Sequence, residues 1–201
     1  MRLLRINLGL TVSLALAVSG CGSAKLLNIA PRTEVTAEKL CCQTVTAEVL
    51  LAAEPFTDED RLLSEFDGNV LLAGILPVRA LIENRSSSPL NLKRADFSLV
   101  DGKGKQYKQL DPKHVLNLMV KYYEIGYQRK GSFKQTLDDL NAISLLQEPM
   151  LPANEQRQGY MYFSIDPVQP LPPDLRLIVK HLRPANGKKD IDINLSLSYV
   201  H

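Results

Sequence analysis

Apolar and polar side chains alternate from Ile191 onward: Ile191, Ile193, Leu195, Leu197 and Tyr199 take one face, and Asp192, Asn194, Ser196 and Ser198 take the other. A period of two sends successive side chains to opposite sides of a strand, so this is the clearest element in the chain, with one face for a core and one for solvent. The same reasoning predicts strands over residues 75–83, where Val78, Ala80 and Ile82 share a face, through Leu90 and Leu92, around Phe97 and Leu99, and over 159–166 and 175–182. Pro77 has no amide hydrogen for a ladder and is expected at the start of its strand or on an edge. Val45, Ala47, Val49, Leu51 and Ala53 alternate with Thr46 and Glu48 and read as one first strand, though their Ala, Glu and Leu content also permits helix.

Between these runs the turn chemistry is explicit. Asn84-Arg85-Ser86-Ser87-Ser88-Pro89 is a turn cluster, and residues 184–189 form another. Asp101-Gly102-Lys103-Gly104-Lys105 reads as a hairpin in which glycine supplies positive φ and Tyr107 opens the returning strand. Residues 166–174, rich in proline, form a stiff connection. Thr57 before Asp58-Glu59-Asp60 is a capped, acidic start for a short helix to Phe66, which Asp67-Gly68 ends. In the middle the period changes to that of a helix. Asp111-Pro112 is an N-cap followed by proline at the first helical position, and Val115, Leu118, Met119 and Tyr122 share one stripe. Ser132-Phe133-Lys134-Gln135 reads as a capping box, followed by Leu137, Leu140 and Ile143 before Pro149. Two helices joined around residues 126–131 are expected.

The beginning of the chain has a different logic. Arg2 and Arg5 form a basic start, and residues 8–18 are an apolar stretch interrupted by Thr11 and Ser13. A spanning helix needs about 20 apolar residues, so this stretch has the length of a signal-peptide core instead. Val18-Ser19-Gly20-Cys21 closes it, and here the sequence resembles a bacterial lipoprotein, whose lipobox is a Leu or Val and small residues before a cysteine. The resemblance implies that residues 1–20 are a signal peptide, that Cys21 receives a diacylglyceryl group on its sulfur, and that its new amine can be acylated as well. The partner so implied is a membrane. Gly22, not the Asp associated with inner-membrane retention, follows the cysteine, which favours the outer membrane, facing the periplasm. Residues 21–43 then serve as lipidated N-terminus and tether. Eleven residues from Gly22 to Arg32 reach at most about 40 Å, so the protein is expected to work close to its membrane.

Charge and cysteine content narrow the function classes. Of 24 basic residues, two lie in the leader with no acids, so the remaining 181 residues carry 22 basic against 22 acidic groups. With no net cationic field, nucleic-acid binding falls away. Cys41 and Cys42 remain beside Cys21; as neighbours they are lone thiols, a strained vicinal disulfide or an intermolecular pair. His114, His181 and His201 stand at no spacing that puts two imidazoles on one metal, and no metal or cofactor is expected. Asp190-Ile191-Asp192 sets two carboxylates on one strand face, as a calcium site would, although alternation alone puts polar residues there. No G-x-S-x-G element is present, so nothing supports catalysis.

Short strands with frequent turns, one polar face and no βαβ alternation predict a mainly β fold, a β-sandwich over residues 44–201 with a helical pair inserted at about 111–147, α+β by content. Ala80-Leu81-Ile82-Glu83-Asn84 through Ser88-Pro89-Leu90, then Asp96-Phe97-Ser98-Leu99 through Asp101, Gly104 and Tyr107, resembles the immunoglobulin-like domains of bacterial lipoproteins, as does Gly159-Tyr160-Met161-Tyr162-Phe163. The resemblance implies a binding or scaffolding module and transfers no active site. The expectation is a membrane-anchored envelope protein that binds another envelope component; a ligand carrier or enzyme with a pocket between the helices and the sandwich is the alternative. The unusual local composition is residues 121–130, with three of the chain's seven tyrosines. Tyr122 continues the apolar stripe and is expected in the core, while Tyr123, Tyr127 and Arg129 are the candidate partner-binding residues, unless the tyrosines simply cover the join between insertion and sandwich.

Overall fold

The computed structural model describes residues 25–125, 130–187 and 189–198. The elements in chain order are strands β1 (Cys42–Thr46) and β2 (Val49–Pro55), helix α1 (Glu59–Phe66), strands β3 (Ile75–Asn84), β4 (Leu90–Asn91), β5 (Asp96–Val100), β6 (Gln106–Tyr107) and β7 (Gln109–Leu110), helices α2 (Pro112–Tyr122) and α3 (Lys130–Ile143), and strands β8 (Met150–Leu151), β9 (Gln156–Ser164), β10 (Leu175–Pro184) and β11 (Ile191–Leu197). The chain is mainly β. Antiparallel pairing builds one sheet in the order β1-β2-β3-β9-β7 and a second in the order β6-β5-β10-β4-β8, with β11 on β10.

The two sheets share one apolar core: Leu51, Val78, Ile82 and Phe163 of the first sheet lie in the same cluster as Leu177 and Leu195 of the second. On β11 the alternation is realised, since Ile193, Leu195 and Leu197 are buried and the residues between them are exposed. On β3 it is hidden. Leu76, Val78, Ala80 and Ile82 belong to the core between the sheets, while Ile75 and Leu81 belong to two further clusters on the opposite face. A strand covered on both sides reads as a nearly continuous apolar run. Pro77 is tolerated in this central strand for a local reason. Its carbonyl accepts from Phe56 N–H at 2.9 Å just past the end of β2, so its missing amide faces the same gap beyond the ladder.

The second face of the first sheet is covered by α1, α2 and α3. Phe56 and Phe66 pack edge-on against Tyr160, with ring centroids 5.4 and 5.1 Å away, and Phe66 also meets Tyr162 at 6.2 Å. Val115, Met119 and Leu140 complete this cluster. The helical pair therefore does more than interrupt a two-sheet fold: it buries one face of it. Asp58, one residue after the expected Thr57, caps α1, its Oδ1 accepting from Arg61 N–H at 2.9 Å, and Asp67 ends it in the left-handed region at φ 55°. Asp111 caps α2 as expected, with Pro112 in its first turn.

Three expectations need correction. The first strand is a hairpin: Thr46 pairs with Val49, leaving a two-residue turn in which Ala47 and Glu48 have φ of 48° and 62°. Neither residue is a turn former, so the alternation ran through the turn unmarked. Left-handed conformation costs L-residues about 1–2 kcal/mol each, and Asn-Gly is the sequence that such turns favour. Replacing Ala47-Glu48 with Asn-Gly is therefore expected to raise stability by about 1 kcal/mol or more, read as a higher urea midpoint at unchanged slope. Ser132 does not open α3, which begins two residues earlier, at Lys130. Tyr122 is not a core residue: Leu116 and Val120 take the buried arc with Val115 and Met119, turning Tyr122 to solvent at 48% exposure.

Candidate functional site

Residues 25–35 lie on the helical side of the first sheet, held by side chains from four elements. Lys25 Nζ is 2.8 Å from Asp139 Oδ2, and Leu26 N–H donates to Thr136 Oγ1 at 3.2 Å, both on α3. Asn28 N–H donates to Asp67 Oδ2 at 3.0 Å and Ala30 N–H to the Glu65 carbonyl at 2.9 Å, at the end of α1. Further along, Arg32 reaches the Gln158 carbonyl at 2.7 Å, and the buried Arg79 guanidinium donates to the Thr33 carbonyl at 2.7 Å. Leu27 and Ile29 are buried in the helical cluster. Docking thus begins four residues after Cys21, which itself lies outside the described residues. The sequence offered no period here from which the docked length could be read.

Where Asn28 is fastened, α2 ends. The Tyr123 ring stands over Gly68, where a Cβ would come within 2.9 Å of it, and its hydroxyl donates to the Asn69 carbonyl at 3.2 Å. Burial pushes that hydroxyl above the ordinary tyrosine range, with the neighbouring Tyr122 and Glu59 adding to the effect. Tyr122 meets Tyr123 edge-on at 5.0 Å. So Tyr123 is half a packing residue and Tyr122 the freer ring. Tyr127 and Arg129, the other two candidate partner residues, lie outside the described residues.

A second feature is an open cleft of about 390 Å³ between β7, β9 and the ends of α2 and α3, lined in part by Gln109, Asp111, Asn141, Ser144, Gln147 and Tyr162. Asp111 is engaged: its Oδ1 accepts from His114 N–H and its Oδ2 faces His114 Nδ1, each at 2.8 Å. Burial opposes ionisation of this carboxyl, but the bonds to His114 and the imidazole charge outweigh it and lower its pKa. Tyr162 is deeply buried, and that burial raises its hydroxyl pKa.

The other chemistry-bearing residues are occupied structurally. His181 sits at a bulge in β10 with φ 57°; its N–H donates to Asp192 Oδ1 at 3.2 Å, and its Nδ1 is 3.1 Å from Asp190 Oδ2. Arg183 Nε donates to Asp190 Oδ1 at 2.6 Å, which with His181 holds that carboxyl below its usual range. The carboxylate pair considered for calcium therefore faces protein cations and amides. Among the described residues no group of three or more His, Cys, Asp or Glu is placed to hold a metal ion. Cys41 and Cys42 are free thiols, Cys41 at 3.0 Å from the Ser198 carbonyl and Cys42 accepting from Ser198 N–H at 3.1 Å. Burial of its sulfur, then the adjacent Cys42 thiol, pushes Cys41 up to about 11, so it is protonated and weakly nucleophilic at neutral pH. His201 and Tyr199 lie outside the described residues.

No family model and no curated protein matches the chain. Among solved structures it is similar to the yjhA protein from Bacillus subtilis, at 12% identity and TM-score 0.42 over 80% of this chain and 98% of that one. It is also similar to a functionally unknown protein from Listeria monocytogenes EGD-e, at 13% identity and TM-score 0.40 over 79% of this chain and 82% of that one. A conserved hypothetical protein from Bacillus anthracis matches at 12% identity and TM-score 0.36, over 75% and 91% of the two chains.

Proposed function

We propose that the chain is a lipid-anchored protein of the bacterial cell envelope that acts as a non-catalytic binding or scaffolding module, its two-sheet core an immunoglobulin-like sandwich. The observation that carries this reading is the docked N-terminal segment. A lipidated Cys21 followed by only Gly22, Ser23 and Ala24 before the Lys25–Asp139 pair ties the folded domain directly to its acyl chains. Each buried CH₂ is worth about 0.8 kcal/mol, and two or more acyl chains make the attachment effectively permanent. With Gly22 after the cysteine, the outer membrane facing the periplasm is the proposed location.

Cys21→Ser removes the acceptor sulfur. Incorporation of a clickable fatty acid is expected to vanish and the protein to be recovered unprocessed or in the soluble exported fraction; undiminished labelling would refute the anchor. Crosslinking in intact cells then identifies what the module binds. The open cleft favours a second reading, a ligand carrier, because it mixes apolar walls with polar side chains as small-molecule sites do. A small molecule that stays on the envelope-purified protein through desalting, seen by native mass spectrometry, would decide for the carrier.

A further inference from the structure

Among the described residues six large apolar or aromatic side chains are exposed: Val45, Leu63, Leu72, Tyr122, Tyr123 and Val168. Single exposed hydrophobics are ordinary, but a gathered set marks a surface that is covered in use. Five of the six gather at one end of the molecule. Tyr123 Oη and Leu72 N–H share the Asn69 carbonyl, at 3.2 and 3.1 Å. Leu63 lies one helical turn before Asp67, whose N–H its carbonyl accepts at 3.1 Å. Val168 follows Pro167, which packs beside Gly74, two residues after Leu72. Val45 alone is elsewhere: β1 pairs with β2 so that Val45 lies opposite Leu50, near the Asn84 end of β3. Leu50 pairs in turn with Glu83, which along β3 is about 26 Å from Ile75 at a rise of about 3.3 Å per residue.

We infer that this end of the helical layer rests on the lipid bilayer, with Tyr122, Leu72 and their neighbours in the headgroup zone. The inference rests on the lipid-anchor reading and extends it from attachment to orientation. The occupant is fixed by where the chain leaves the structure. The described chain begins at Lys25, paired with Asp139 on α3, three residues before the Asn28 that is bonded to Asp67, next to the Gly68 that carries the Tyr123 ring. Fully extended, the four steps from Cys21 to Lys25 reach at most about 14 Å. The patch is thus held beside the surface into which the acyl chains insert. A tether this short keeps the effective concentration of bilayer at the patch high, so weak interfacial contacts suffice to settle the orientation. Tyrosine suits the position, with an apolar ring and a polar tip for the boundary between hydrocarbon and water. The opposite end of the first sheet, at Asn84, then points away from the membrane and is left for other envelope components.

The chain contains no tryptophan, so an introduced indole reports on one place. Tyr122→Trp, Leu72→Trp and Val45→Trp are each made in the full lipidated protein. Each is reconstituted in vesicles of phosphatidylethanolamine and phosphatidylglycerol with or without brominated acyl chains. Fatty-acid labelling and flotation with the vesicles are measured first. In labelled, floating protein, bromolipid quenching is expected to be several-fold stronger at positions 122 and 72 than at 45, with blue-shifted emission. Equal quenching at all three positions, or none at 122 and 72, overturns the orientation and leaves the anchor standing. Shielding of the indole from aqueous iodide without bromolipid quenching assigns the patch to a protein or a second copy, and also overturns it. Absence of label on Cys21 removes the anchor and the orientation together.

Discussion

Phe66→Ala is expected to cost about 3–5 kcal/mol, the range for truncating a large aromatic in a core that cannot collapse around the gap. The ring is fully buried and touches three other aromatic rings edge-on: Phe56 at 6.3 Å, Tyr160 at 5.1 Å and Tyr162 at 6.2 Å. Such pairs add about 0.5–1.5 kcal/mol each beyond their buried area, and here they join α1 to the sheet. Phe66 is also the last residue of α1, immediately before the Asp67 that receives Asn28. Its loss therefore loosens the end of the helix to which the N-terminal segment is tied. Leu63 on the same helix is the control, since it is 48% exposed and Leu63→Ala is expected to stay within about 0.5 kcal/mol. For a chain of this size 1 kcal/mol moves the melting midpoint by about 2–4 °C, so calorimetry should separate the two variants by roughly 5–20 °C. Equal, small shifts would mean that the helical layer is not a cooperative part of the fold.

That layer marks the limit of what could be read from the pattern. Where one face of a strand is buried and the other wet, period two is visible, and β11 with its buried Ile193, Leu195 and Leu197 was legible at once. Helices were legible where caps were chemical: Asp111 before Pro112, and the acidic start of α1, announced themselves. What the pattern could not reveal depends on contacts between distant residues. The hairpin turn at Ala47-Glu48 carries no Gly or Asn, because the ladder between β1 and β2 holds the two residues in the left-handed region. Val115, Met119 and Tyr122 keep helical spacing, which by itself puts Tyr122 on the buried stripe, but the arc that is buried runs through Val115, Leu116, Met119 and Val120 instead. The candidate surface was half legible. Three tyrosines in six residues single out the end of α2, but Leu63, Leu72 and Val168 come near it only through the turn at Asn69 and the packing around Gly74.

Gly159→Ala tests a contact of the same non-local kind, and about 3 kcal/mol is the expected cost. Gly159 lies within β9, opposite Ala80, and Ser144 bridges its neighbour Tyr160, so residues 143–145 run closely against the strand there. An added Cβ would come within 2.6 Å of the Ile143 carbonyl oxygen and the Leu145 nitrogen, and 2.8 Å of the Ser144 carbonyl carbon. These are backbone atoms, so no side-chain rotation relieves the clash, and overpacking of this kind costs about 1–3 kcal/mol or more. That segment is itself bonded to the strand, Leu145 N–H donating to the Tyr160 carbonyl at 3.0 Å. Backing away breaks that bond, at a further cost of about 1 kcal/mol. Gly104→Ala separates this from ordinary glycine effects, because Gly104 has φ of 83° and open space around it, so strain alone acts there. Urea unfolding should therefore place Gly159→Ala well below Gly104→Ala, whose cost is about 1–2 kcal/mol. Amide exchange should show the Leu145 N–H losing protection in the former only. A Gly159→Ala variant as stable as Gly104→Ala, with Leu145 still protected, would mean that the end of α3 does not run against β9 at this distance.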